Sequence, residues 1–239
     1  MKEKLYTIPV SDAFESPCEC PLCKMRQTLE NDAIEYTLGP SYMEDDIRAV
    51  TDEMGFCSRH INQLYKNQNR LGLALMLKSH MDKTIKDITA LSNEGASVKG
   101  GLFKKTITAN GVGDYIDKLN HTCFVCDRIE NTFLRYIATV VHMYKTESDF
   151  RTRFKQSLGI CTTHYGMLYT EALTALSGDM ASSFLNDLND LYIKNMERVR
   201  DDLDWFITKF DYRFANEPWK NSKDALPRAI LKTTGEFIE

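Results

Sequence analysis

Proline and glycine are scarce, at 6 and 12 of 239 residues, so few positions force a break and long helices are open to the chain. A basic excess is also missing. Thirty Lys and Arg stand against 34 Asp and Glu, a net charge of −4, which argues against a dedicated non-specific nucleic-acid binder. Long apolar runs are absent. The best candidates, 71–77 (LGLALML) and 133–143 (FLRYIATVVHM), fall short of the roughly 18 apolar residues of a membrane helix, and the second contains Arg135. Residues 1–17 carry two lysines but no apolar core, so a secretory signal is not expected and a cytoplasmic location is. No G-x-S-x-G, H-E-x-x-H, P-loop or dinucleotide fingerprint occurs, which leaves catalysis without support. Hydrophobic residues at 43% and charged residues at 27% exclude disordered and fibrous classes.

The seven cysteines are the most informative residues. An odd count fits a disulfide framework poorly, and in a reducing compartment thiols serve metal or redox chemistry more often than cross-links. Six of the seven fall into a repeat. Cys20-Pro-Leu-Cys23 is followed by Gly55-Phe-Cys57-Ser-Arg-His60, and Cys123-Phe-Val-Cys126 by Gly159-Ile-Cys161-Thr-Thr-His164. The Cys-x2-Cys pairs are offset by 103 positions (123 − 20), and the Gly, third Cys and His by 104 (161 − 57). Asp46-Ile-Arg48 and Asp149-Phe-Arg151 keep the first register, Leu64-Tyr65 and Leu168-Tyr169 the second. Three shared Cys positions, two at one offset and the third one residue longer, are hard to place by accident. The pattern therefore predicts two copies of one module.

Cys-x2-Cys places two sulfurs on one tight turn. Cys-x2-His does the same with a sulfur and an imidazole, the His on the first turn of a following helix. Two half-sites complete a tetrahedral Cys3His set, which suits zinc. The expected sites lie within each copy: Cys20, Cys23, Cys57 and His60, then Cys123, Cys126, Cys161 and His164. Two predicted helices between the half-sites would bring the ends of each segment together. Iron–sulfur ligation is the weaker alternative, because neither copy has four cysteines at a cluster spacing. Covalent haem attachment is excluded, since Lys24 and Asp127 occupy the positions that need His. Cys18 and His121 share the 103 register and are fifth potential ligands, read as lying outside the shell. His80 and His142 have no counterparts in the other copy and read as ordinary helix residues.

Apolar spacing predicts helices near 22–38, 42–53, 58–91, 125–143, 147–157 and 186–210, the last with a stripe of Leu188, Leu191, Val199, Leu203, Phe206 and Phe210. Thr146-Glu-Ser-Asp149 resembles a capped helix start. Residues 5–10 are the one fair strand candidate. Residues 92–113, with five glycines, read as a flexible linker, and Lys99 to Lys105 as a weak anion contact. An aromatic tail with Tyr212, Phe214 and Trp219 precedes a helix near 223–233.

The paired Cys-Pro-x-Cys and Gly-x-Cys-x-x-His motifs, with Phe210-Asp-Tyr-Arg-Phe214 and Glu217-Pro-Trp219, resemble an uncharacterised bacterial family catalogued as a domain of unknown function. The resemblance spans nearly the whole chain, and Phe124 departs from it where the first motif has Pro21. It implies no activity. The expected protein is all-α: a zinc-binding helical repeat at 16–91, a linker at 92–113, a second repeat at 114–210 and an aromatic C-terminal extension at 211–239. Each repeat is expected to be clamped by one Cys3His zinc, two ions per chain. The expected role is non-enzymatic binding, with a protein partner, no membrane and no nucleic acid. The alternative is a thiol-redox or metal-responsive regulator.

Overall fold

A computed structural model describes residues 3–93, 98–101, 104–107 and 111–238. Those residues form eleven α-helices, two short 3-10 turns and one two-stranded antiparallel pair. None of the described helices is long and apolar enough to cross a membrane. In chain order the first helices are α1 (Glu3–Glu15), α2 (Pro21–Leu38), α3 (Asp45–Met54), α4 (Ser58–Lys66) and α5 (Arg70–Asn93). The pair β1 (Val98–Gly101) and β2 (Lys104–Ile107) follows, with Val98 opposite Ile107. Then come α6 (Val112–Asn120), α7 (Phe124–Thr146), α8 (Ser148–Gln156), α9 (Thr162–Ala175), α10 (Gly178–Thr208) and α11 (Ala225–Thr234).

The chain divides into two compact units that cut across the sequence copies. An outer unit joins residues 1–28 to 132–239, and an inner unit holds 29–131. The passages from one to the other fall inside α2 and α7. The outer unit is built on aromatic rings. Phe14 packs on Phe150 and Phe154 at 5.1 and 5.8 Å between centroids, and Phe184 meets Tyr144 edge-on at 4.8 Å. Phe150, Phe154 and Phe184 are fully buried, and truncating such a ring costs about 3–5 kcal/mol. The inner unit packs aliphatic and aromatic groups together: Leu38, Leu64, Leu73 and Met76 lie against Phe124, Val125 and Ile129.

Several local expectations are corrected. Residues 5–10 lie in α1, not in a strand. The single helix expected over 58–91 is broken at 67–69, where Asn69 Oδ1 accepts from the Gly72 N–H at 2.9 Å and its Nδ2 donates to the Leu38 carbonyl at 2.7 Å. A side chain that caps a new helix and binds the backbone behind it makes a break more favourable than continuation. The start of α8 lacks the expected side-chain cap: Glu147 is the capping residue, and Thr146 donates back to the His142 carbonyl. The α10 stripe is buried through Phe184, Leu188, Leu191, Asn195 and Val199, but Phe210 lies past the helix end and is 76% exposed. The segment read as a linker contains the β pair. Residues 94–97, 102–103 and 108–110 within it lie outside the described residues.

Candidate metal centres

Each of the four Cys motifs starts a helix in the same way. Cys57 and Cys161 cap α4 and α9 in extended conformation, φ −71° and −74°, ψ 164° and 163°. Their carbonyls accept from Ile61 and Tyr165, which closes the first helical turn. Cys20 and Cys123 precede α2 and α7, and their carbonyls accept from Lys24 and Asp127 in the same manner. The second ligand of each motif, three residues on, therefore sits in a first turn beside its partner. All four pairs lie at helix N-termini, whose partial positive charge favours thiolates. Gly55 and Gly159 precede the Cys-x2-His pairs at φ 61° and 95°, a region costly for any residue with a Cβ. A Cβ on Gly55 would meet the His80 ring at 2.8 Å, and one on Gly159 would meet Asn195 at 2.6 Å. His80 is thus a packing residue of the turn, its Nδ1 2.7 Å from the Asp52 carbonyl oxygen.

The motifs assemble crosswise. Cys20, Cys23, Cys161 and His164 form one cluster, and Cys57, His60, Cys123 and Cys126 form the other, each within 4.8 Å. This corrects the expected grouping within copies, although all eight residues are brought into clusters. The physical reason is helix length. At 1.5 Å per residue the 18 residues of α2 rise about 27 Å and the 10 of α3 only about 15 Å, so α3 retraces only about half of α2. The mismatch is larger for α7 and α8, with 23 and 9 residues. Cys20-x2-Cys23 instead meets Cys161-x2-His164, and Cys123-x2-Cys126 meets Cys57-x2-His60.

The first cluster lies in the outer unit, and all four of its residues are buried. His164 Nδ1 faces Cys20, Cys23 and Cys161 at 3.5, 3.3 and 3.2 Å, and Cys23 and Cys161 sulfurs are 3.5 Å apart. The Phe133 ring packs on His164 at 5.0 Å. Lys232, 1% exposed, donates to the carbonyls of Glu19 and Leu158 at 2.6 and 2.5 Å and pairs with the Glu19 carboxylate at 3.2 Å. Those carbonyls belong to the two strands of chain that enter the Cys20 and Cys161 turns, so one ammonium ties both half-sites. Burial lowers the Lys232 pKa while the Glu19 carboxylate opposes the shift. Arg198 holds the same Glu19 Oε2 at 2.5 Å. After α11 the chain turns at Gly235, φ 78°, where a Cβ would stand 3.5 Å from the Cys161 sulfur and 3.8 Å from that of Cys23.

The second cluster lies in the inner unit and reaches the surface: Cys123 and His60 are buried, Cys57 is half-buried and Cys126 is exposed. His60 Nδ1 faces Cys57, Cys123 and Cys126 at 3.3, 3.4 and 3.2 Å, and the Cys57 and Cys126 sulfurs are 3.9 Å apart. On the far side of the ring Nε2 lies 3.0 Å from Glu30, itself 3.0 Å from Arg59. A proton on Nε2 shared with this carboxylate leaves the Nδ1 lone pair aimed among the sulfurs. The half-sites are joined by the Phe124 N–H donating to the Gly55 carbonyl at 3.1 Å.

The thiols perturb one another strongly. Burial pushes Cys20 up to about 12, and hydrogen bonds from Cys20 and Cys23 hold Cys161 far below the ordinary thiol range. Burial also raises Cys126 to about 12; at Cys123 burial acts in the same direction, but the His60 hydrogen bond, backbone hydrogen bonds at Cys126 and Cys57 and the His60 charge together outweigh it and bring the thiol to about 6. Burial lowers the His60 pKa, but its bonds to Cys123 and Glu30 prevail and raise it to about 9. Thiolates this close repel one another unless a cation sits among them. Around a tetrahedral zinc, with bonds near 2.3 Å to sulfur and 2.0–2.1 Å to nitrogen, ligand atoms stand about 3.5–3.8 Å apart. The sulfur–sulfur separations of 3.5 and 3.9 Å bracket that edge, and the sulfur–nitrogen separations of 3.2–3.5 Å fall just inside it.

Cys18 and His121 stay outside both clusters. The Cys18 thiol donates to the Ala13 carbonyl at 3.9 Å, and His121 Nδ1 lies 2.7 Å from the Asp117 carbonyl oxygen. Glu30, Asn195, Lys232 and Gly235 are contacts of the sites that motif spacing does not expose. No curated protein and no solved structure matches the chain. A model of a family of unknown function, DUF6062, matches residues 1–239, and the chain belongs to that family.

Proposed function

We propose that this chain is a zinc protein with two Cys3His centres that act as structural staples, and that its role is non-enzymatic binding. The observation that supports this most directly is the assembly of eight ligand atoms, from four separate helix N-termini, into two groups with the edge lengths of a single-ion tetrahedron. Four protein ligands per ion leave no open position for a hydrolytic water. Ligands of a polynuclear iron–sulfur cluster bind different irons and stand further apart, so the short edges favour one zinc in each group. Matching backbone geometry at Cys57 and Cys161 supports a duplicated module with copies at 16–91 and 114–210. Free thiols, all seven of them, suit a reducing cytoplasm. For the binding role, Ile207 in the last turn of α10 and Phe210 and Tyr212 just past it offer an apolar surface, at 63, 76 and 87% exposure.

The test is elemental analysis with native mass spectrometry on untagged protein from its own host. Two zinc ions per chain are expected. Zinc well below one per chain, or iron with visible absorption, refutes the reading. The surface position of Cys126 supports a second reading, in which one centre also responds to oxidants.

A further inference from the structure

We infer that the two centres differ in chemical role: the inner-unit cluster is a peroxide-sensitive site that releases its zinc when Cys126 and Cys57 form a disulfide, while the outer-unit cluster stays loaded. The inference rests on the zinc reading above and adds a modification site to it. Three observations carry it. Cys126 is exposed and Cys57 half-buried, so a small oxidant reaches a thiolate without unfolding the protein. The two sulfurs are 3.9 Å apart and belong to different half-sites, so joining them removes one ligand from each. The other cluster has a pair as close, Cys23 and Cys161 at 3.5 Å, but both are buried, and even a Cβ at Gly235 would come within 3.8 Å of both sulfurs. Proximity is therefore common to both clusters, and access distinguishes them.

The step balances with hydrogen peroxide as oxidant. The Cys126 thiolate attacks one peroxide oxygen, the O–O bond breaks and hydroxide leaves, giving a sulfenic acid. The Cys57 thiolate then attacks that sulfur, the S–O bond breaks and a second hydroxide leaves. Two thiolates and one peroxide become one disulfide and two hydroxides. The sulfurs lose two electrons, the peroxide gains two, and zinc departs as Zn²⁺ without changing oxidation state. Cys123 and His60 remain, too few to hold the ion tightly. Reduction of the disulfide restores the four ligands.

The experiment uses the full-length, zinc-loaded chain carrying Cys18→Ser, which removes the one thiol outside the clusters. Zinc content is read first; a value below one per chain overturns the zinc reading and this inference with it. Hydrogen peroxide is then added with a chromogenic chelator that binds only free zinc, and the products are mapped by mass spectrometry. One zinc should leave at least about tenfold faster than the other, with a Cys57–Cys126 linked peptide. Dithiothreitol with added zinc should reverse both. Cys57→His keeps four ligands but removes the second sulfur, and should slow the first release by about tenfold. Equal release from both centres, loss from the outer-unit cluster first, closure of Cys123 on Cys126, or unchanged release in Cys57→His overturns the inference while leaving two structural zincs in place. If Cys57→His fails to fold, the map of the linked peptides in the Cys18→Ser protein decides alone.

Discussion

The two clusters share a ligand set and differ in what surrounds it. In the outer unit, His164 lies against Phe133, an ammonium ties the entering chains, and a glycine turn stands over the sulfurs. In the inner unit, His60 is held by Glu30, which Arg59 pairs in turn, and Cys126 is exposed. The ligands fix what can be bound; the enclosure fixes how fast it is exchanged and what else reaches it.

The broadest test of this comparison cuts the chain between the copies. Because ligands are paired crosswise, fragments 1–95 and 114–239 each carry half of both clusters. Neither alone should hold tight zinc, and mixing them should restore two ions per pair by mass spectrometry. Full zinc in each separate fragment would restore the grouping within copies. Single ligands come next. Structural zinc contributes about 10–16 kcal/mol, against about 5–15 kcal/mol for the net stability of a domain. Cys161→Ser should therefore abolish cooperative melting of the outer unit, and Cys57→Ser should loosen the inner unit alone. Wild-type melting of both variants after verified metal loss would show that the ions are not staples.

Lys232→Met should cost about 3–5 kcal/mol, because it leaves the Glu19 carboxylate short of a partner, the Glu19 carbonyl without its ammonium donor and the Leu158 carbonyl with only Arg198 at 3.3 Å. Hydrogen exchange should rise around Cys20 and Cys161 and remain unchanged around Cys57. A uniform rise over both units would show that the lysine has no special tie to one centre. Glu30→Gln is smaller: a chelator competition should show zinc at the inner-unit cluster weakened about tenfold, some 1.4 kcal/mol, with the other ion unaffected. The smallest effect belongs to Cys18→Ser, within about 0.5 kcal/mol by thermal melting. Cys18 should also alkylate faster than Cys20 or Cys23 in the loaded protein.

Much of the helical content and every ligand motif were legible in the sequence, because both depend on local spacing. Cys-x2-Cys and Cys-x2-His mark helix starts wherever they occur, and the period of Leu188 and Leu191 needs no tertiary information. The partner of each motif was not legible. It depends on the relative lengths of α2 and α3, and of α7 and α8, which apolar periodicity gives only to within a few residues. The expected extents, 22–38 against 42–53, already differed, but the inequality carries weight only once both boundaries are fixed. Lys232 was hidden for another reason. Its role comes from lying 213 positions away from Glu19, and a lysine in a short terminal helix otherwise reads as a solvated side chain. Asn69 falls between these cases: its cap follows a known local rule, but the apolar pattern on either side ran through it.

The crosswise assembly also sets a timetable for synthesis. The inner-unit cluster joins residues 63 to 69 positions apart and is complete once Cys126 has left the ribosome. The outer-unit cluster joins residues 138 to 144 apart, and its ammonium tie waits for Lys232. Doubling a loop adds only about 0.6 kcal/mol of closure entropy, so the delay lies in the order of emergence more than in the equilibrium. Until His164 has emerged, Cys20 and Cys23 wait without their permanent partners. Cys57 and His60 are the first complementary half-site to follow them out, so a transient ion bound to the wrong pair is the characteristic error this topology invites.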